Sequence, residues 1–263
     1  MRSQKMPLVF LMPASEAIYH PFGFRFFYRM NTGTISCEGK LFPEGETLSV
    51  RLAERNDIPG LAAFSSGILE KNFDFYTERD PHYFEMLFAE VESEKGGILL
   101  VTEDKTGRIK AVIPFWGSDP VEIREILCSP EAGGQVMDAA GRYFRKPVRA
   151  DGLSFPQDGI KPVIMGRILD AESFLGLFSA EHPMEILLRL EDPFIEENTG
   201  TYLWRLTEKG STAQKLSEPL EEKKLQLRTD AASLFEWLAG GKEAEGELKA
   251  VNICRAPYIN EIV

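Results

Sequence analysis

The chain has 263 residues, 43% of them hydrophobic and 11% aromatic, which is enough apolar material for about two domains with ordinary cores and argues against intrinsic disorder. A formal net charge of −11 and a pI near 5.0, with no basic stripe, argue against nucleic acid as a partner and leave an acidic surface suited to cationic substrates. Cys37, Cys128 and Cys254 stand far apart, as do His20, His82 and His182, so no metal site is expected and reduced structural thiols are the default.

The opening MRSQKMPLVFLMPASEA has the outline of a secretory signal. Its apolar run is about six residues between two prolines, short of the roughly 7–15 that a signal requires. No stretch approaches membrane-spanning length, so a cytoplasmic protein without membrane contact is expected. Leu8 to Met12 has the length of a strand. Pro13-Ala14-Ser15-Glu16 then gives the start of a helix, with a proline where no N–H is needed and an acid in the first turn. Ala17, Ile18 and Tyr19 continue it, Pro21 and Gly23 stop it, and Phe24 to Tyr28 forms a second strand. Strand, short helix and strand in succession part the two strands slightly and put one helical side chain at the gap, where Tyr19 stands. A phenol there can act as a general acid, being neutral and a donor at pH 7. From the local pattern alone it reads more readily as a buried aromatic in a corner.

Asn31 to Glu46 carries turn signals around short strand pieces such as Thr34 to Cys37 and reads as a hairpin followed by a linker. A new domain opens at Thr47. Leu48 to Leu52 alternates as a strand, and Asp57 caps a helix that buries Leu61, Ala62 and Phe64. Asp80-Pro81 starts a second helix with Tyr83, Phe84, Leu87, Phe88 and Val91 at helical spacing. Ile98 to Thr102, Ile109 to Trp116 and Val121 to Leu127 are strands, Gln135 to Phe144 is a helix, and a strand lies near Lys146 to Ala150. Pro156-Gln157-Asp158-Gly159 marks the next boundary. Beyond it lie a strand from Lys161 to Ile168, a helix from Ala171 to Phe178 capped by Asp170, and a strand from Met184 to Leu190. A polar loop ends in Asn198-Thr199-Gly200, Tyr202 to Leu206 returns, Leu225 to Arg228 is a strand, and Asp230 to Leu238 is a helix. Trp116, Trp204 and Trp237 read as core residues.

Leu11-Met12-Pro13-Ala14-Ser15-Glu16-Ala17-Ile18-Tyr19 with Phe22-Gly23-Phe24 resembles the end of a GNAT acetyltransferase domain of the Eis (enhanced intracellular survival) type. Val50-Arg51-Leu52-Ala53 with Asp57 and Leu61 resembles the opening of a second GNAT fold. Val163-Ile164-Met165 with Arg167-Ile168, the hairpin from Leu190-Glu191-Asp192 to Asn198-Thr199-Gly200 with Trp204, and the ending Ile259-Asn260-Glu261-Ile262-Val263 resemble the sterol-carrier-like domain that closes such proteins. The resemblance implies an α/β fold class with mixed α+β sheets, a GNAT-like domain followed by a sterol-carrier-like one. Residues 1–46 would be the remnant of a catalytic GNAT domain with its linker, 47–158 a degenerate GNAT-like domain, and 159–263 the sterol-carrier-like domain.

The same resemblance implies an acetyl-CoA-dependent N-acetyltransferase acting on primary amines, without a metal and as a homo-oligomer. Tyr19 would protonate the departing thiolate, and the α-carboxylate of Val263 would take the proton of the substrate amine. Glu261 would help attract a cationic amine; it also reads as an exposed acid, and the apolar end at Val263 also reads as a docked strand. The Gly-rich loop that holds the pyrophosphate of coenzyme A is expected to be missing with most of the first domain, leaving this chain inactive alone. Arg149-Ala150-Asp151-Gly152-Leu153-Ser154 comes nearest to it, but Phe155-Pro156 follows where a helix should open. Cys128-Ser129-Pro130-Glu131-Ala132-Gly133-Gly134 stands where the second domain would need such a loop, yet it carries an acid and no base. A non-enzymatic module binding an apolar ligand or scaffolding an oligomer is the alternative.

Overall fold

The computed structural model describes residues 4–36, 48–217, 224–253 and 256–260. The chain divides into two compact units, Met1–Tyr28 with Pro162–Pro257, and Arg29–Lys161 with Tyr258–Val263. The sequence suggested boundaries after residues 46 and 158; the units exchange chain after Tyr28, Lys161 and Pro257.

The unit built on Arg29–Lys161 is a three-layer α/β arrangement. Leu48–Leu52, Gly97–Glu103 and Ile109–Trp116 pair antiparallel in succession, and Glu122–Ile123 and Leu127–Cys128 pair with the last of them. The sheet turns parallel where Ile123 meets Ala150 of Val148–Leu153. The near-continuous apolar runs follow from burial on both faces. Ile98 and Leu100 pack with the helices Ile58–Asn72 and Pro81–Ser93, whereas Leu99 and Val101 pack with Val136, Met137, Ala139 and Ala140 of the helix Gly133–Phe144. Asp80 caps the second helix as expected, accepting from Tyr83 N–H at 2.7 Å. Asp57 does not cap its helix with its side chain; the carboxylate instead takes both Nη atoms of Arg51 at 2.7 Å.

The strand beginning at Arg25 runs on to Ile35, through the Asn-Thr-Gly read as a turn, because residues 31–35 pair with Val148–Leu153 across a bulge at Asn31/Thr32. Cross-strand pairing outweighs the local turn preference. The expected strand Val121 to Leu127 is broken into two short pieces. Between them the Arg124 guanidinium lies 4.6 Å from the centre of the Trp116 ring.

In the other unit, Leu8–Leu11 pairs antiparallel with Met165 to Ile168 and stands at a sheet edge. A four-stranded sheet carries Gly210–Lys215, Gly200–Thr207 and Met184–Glu191 antiparallel, with Leu227–Asp230 added parallel. Trp204 is fully buried and its indole N–H donates to Leu175 O at 3.1 Å, which satisfies the one polar atom of an otherwise apolar core side chain. Phe174, Phe27 and Phe235 complete this core, the last two in an edge contact with ring centres 5.4 Å apart.

Candidate functional site

The segment that carries Tyr19 is built from local rules. The strand Leu8–Leu11 ends before Pro13, and Ser15 takes an extended conformation (φ −156°) before the one-turn helix Glu16–Tyr19. A 3-10 turn, His20–Phe22, follows at once and closes on Gly23 at φ +82°. Ile18 N–H donates to Ser15 O at 3.2 Å and Gly23 N–H to His20 O at 3.1 Å. Arg25 clasps the turn from the next strand, with Nη1 donating to His20 O at 3.0 Å and to Phe24 O at 2.9 Å. Tyr19 is half-buried, its ring edge-on to Phe24 with centres 5.9 Å apart. Its hydroxyl makes no hydrogen bond among the described residues, which leaves the phenol free to donate to a reacting atom.

A second element fixes the same turn. Arg167 donates through Nη1 to Phe22 O at 2.6 Å and through Nη2 to Asp192 at 3.2 and 3.3 Å. Its guanidinium lies 5.9 Å from the centre of the Phe24 ring and 5.3 Å from that of Phe194. Asp192 in turn accepts from Phe194 N–H, Ile195 N–H and Asn198 Nδ2 at 3.0, 3.1 and 3.0 Å. A cavity of about 260 Å³ lies beside this network, lined by His20, Gly23, Arg25, Arg167, Asp192 and Asp230 among others; Tyr19 is not part of its wall. Burial acts most strongly on Asp230 and pushes its carboxyl up, but the Ser233 hydroxyl and the amides of Ser233 and Ala232 together hold it below the usual carboxylate range. Sequence reading missed Arg167 and Asp192 as supports of the Tyr19 turn, although it had quoted both; nothing in a linear pattern joins residues 145 positions apart.

Glu261 and Val263, the proposed substrate-binding and base residues, lie outside the described residues, as do Cys37 and Cys254. Among the described residues no group of three or more His, Cys, Asp or Glu side chains could hold a metal ion, and no helix is long and apolar enough to cross a membrane. Cys128 is buried, and that burial pushes its thiol up to about 12, so it is no nucleophile.

The two glycine-bearing segments behave as follows. Arg149-Ala150-Asp151-Gly152-Leu153 lies within a strand, not at the mouth of a helix. Gly133 does open a helix, but a Cβ there would stand 2.5 to 2.8 Å from ring atoms of Phe155; the glycine admits a neighbouring aromatic ring. Glu131 sits in the preceding turn with its carboxyl held below the usual range by its own backbone N–H and by Ser129. Lys110 lines the adjoining cavity of about 230 Å³ with Ser129, Glu131 and Gln135, a base that the sequence segment by itself did not show.

No protein-family model and no curated protein matches the chain. Solved structures do. A GCN5-related N-acetyltransferase from Anabaena variabilis is matched over 100% of this chain and 74% of that one, with a TM-score of 0.72 at 13% identity. A GCN5-related N-acetyltransferase from Kribbella flavida is matched over 100% of this chain and 72% of that one, with a TM-score of 0.70 at 17% identity. Eis1 from Mycobacterium abscessus is matched over 100% of this chain and 75% of that one, with a TM-score of 0.61 at 13% identity. At these identities the likeness shows the fold: a mixed α/β fold with mixed sheets, like that of GCN5-related N-acetyltransferases, as expected from the sequence.

Proposed function

We propose that the chain is part of an acetyl-CoA-dependent N-acetyltransferase of the Eis type, acting on small primary amines, with residues 159–263 as its sterol-carrier-like portion. The observation that carries this reading is the likeness of the whole chain to GCN5-related N-acetyltransferase structures, with Tyr19 on a one-turn helix between two strands and its hydroxyl unengaged among the described residues. The residues present suit the pantetheine arm of the cosubstrate. Leu8–Leu11 stands at a sheet edge, alongside which an extended pantetheine arm would run.

In this reading the amine attacks the thioester carbonyl, a C–N bond forms, and the tetrahedral intermediate expels the thiolate as the C–S bond breaks. Tyr19 gives its proton to the sulfur. The Val263 carboxylate takes the proton of the amine, and Glu261 adds negative charge for a cationic substrate. The chain spans about three quarters of each of the three solved structures described above, and neither glycine-bearing segment is built as a diphosphate cradle; by itself it would bind acetyl-CoA weakly and turn over poorly. Association of several copies belongs to the same proposal, supported by exposed Phe10, Met12, Ile18 and Phe22.

The test is Tyr19→Phe in the protein with its complete catalytic domain. Turnover should fall roughly 10²–10⁴-fold, the usual worth of a positioned general acid, with acetyl-CoA affinity nearly unchanged. Undiminished turnover would remove Tyr19 from the reaction.

A further inference from the structure

Tyr258, Ile259 and Asn260 are only 2%, 2% and 9% exposed, and all three belong to the unit built on Arg29–Lys161. The Tyr258 ring packs with Leu69, Leu127 and Phe73, its centre 4.5 Å from that of Phe73. Its hydroxyl donates to the carbonyl of Gly152 at 3.1 Å. The Asn260 amide donates to the same carbonyl at 3.0 Å and reaches Glu125 Oε1 at 3.5 Å. Glu125 is itself buried and paired with Arg79 at 3.0 Å, whose guanidinium lies 4.1 Å over the Tyr83 ring.

Gly152 makes this arrangement possible. Its φ is +67°, and a Cβ would stand 2.0 Å from Arg124 O and 2.6 Å from Asn260 Nδ2. A side chain there would meet the Arg124 carbonyl first and then the Asn260 amide. The segment holding this glycine comes nearest to a phosphate loop in the sequence and is ruled out as one by the Phe155-Pro156 that follows; in the structure the glycine lies against the Arg124 carbonyl and the Asn260 amide.

We infer that the unit built on Arg29–Lys161 contains a peptide-binding slot whose ligand is the chain's own Tyr258-Ile259-Asn260. The slot reads a phenol by its hydroxyl, an aliphatic side chain by burial, and a carboxamide by a carbonyl and a carboxylate. It rejects an acid at the third position, because a carboxylate would face Glu125 and the Gly152 carbonyl with no donor to offer.

The experiment uses the full chain. In Tyr258→Ala/Asn260→Asp the slot loses its ligand, and an added peptide of the sequence Ala-Pro-Tyr-Ile-Asn, blocked at both ends, should bind at least tenfold more tightly than it binds the wild type. It should also raise the variant's thermal midpoint and leave the wild-type midpoint unmoved, and a peptide ending in Asp should do neither. Equal binding to both proteins, or none to a variant with the wild-type circular dichroism spectrum, would overturn the inference. Should the double variant fail to fold, Asn260→Asp alone is read by carboxypeptidase. Wild-type trimming should halt at Asn260, and the variant should be trimmed past Tyr258 at least tenfold faster; equal trimming overturns the inference. An acetyltransferase extended by one glycine after Val263 and still fully active would sink the carboxylate's role while leaving the slot in place.

Discussion

Replacing Asp192 with asparagine tests how the turn that bears Tyr19 is held. The Asp192 side chain is 1% exposed and that of Arg167 11% exposed, so the pair is shielded from water. The two carboxylate oxygens accept from two backbone amides, the Asn198 amide and the Arg167 guanidinium. Asparagine keeps the volume but brings an NH2 group that must face one of these donors, and it leaves the guanidinium without its counter-charge. A hydrogen bond to a charged group is worth about 1.5–3 kcal/mol, and breaking a buried pair costs about 3–5 kcal/mol. Arg167 keeps its bond to Phe22 O and its contacts with Phe24 and Phe194, which offsets part of that cost. The expected loss is about 2–4 kcal/mol. It would be read as a lowered urea midpoint at unchanged slope. Because Arg167 also holds the Phe22 carbonyl, the Ile18 and Gly23 amides should exchange with solvent faster in the variant. A loss under about 1 kcal/mol with unchanged exchange at both amides would refute the account.

Asp57 and Cys128 give two further expectations. The bidentate Arg51 guanidinium, helped by Glu54 N–H, holds the Asp57 carboxyl below the usual range, so its contribution is complete above the unfolded value of about 3.9 and fades as pH falls through the lower folded value. The stability gap between wild type and Asp57→Asn should be constant near neutrality and shrink below about pH 4; a gap that persists undiminished to strongly acid pH would contradict this. In a Cys37→Ser/Cys254→Ser chain, the Cys128 thiol, pushed up to about 12, should react with a disulfide reagent at pH 8 far more slowly in the folded than in the unfolded protein, by roughly 10²–10³-fold. Equal rates in the two states would show that the thiol is exposed.

Much of the fold was legible because burial leaves a periodic trace. Ile98 to Thr102 read as a strand, and the double-sided burial of Ile98 to Val101 between the helices explains why the run does not alternate. Asp80-Pro81, Asp170 and Asp230 marked helix starts, and each of the three carboxylates accepts from backbone amides of the turn it opens. The failures fall where a distant partner overrides a local preference. Asn31-Thr32-Gly33 has the chemistry of a turn, but residues 148–153 supply a complete antiparallel partner and the segment stays extended. The strand Gly210–Lys215 went unread because its residues are mostly small or polar; it is held by its neighbour Gly200–Thr207.

The site was legible to a different extent, and glycine shows why. A glycine in a phosphate loop and a glycine that admits a side chain are chosen for one property, the absence of a Cβ, so the sequence alone cannot separate the two uses. At Gly133 a Cβ would meet the Phe155 ring, and at Gly152 first the Arg124 carbonyl and then the Asn260 amide. In both places the absent Cβ lets the protein's own atoms approach. Tyr19 is the opposite case. Its turn is secured from three directions, by its own backbone, by Arg25 and by Arg167, yet its hydroxyl is left unengaged among the described residues. A firmly held turn that leaves a phenol hydroxyl unengaged is what the proposed acid role of Tyr19 requires, and Tyr19→Phe is its test.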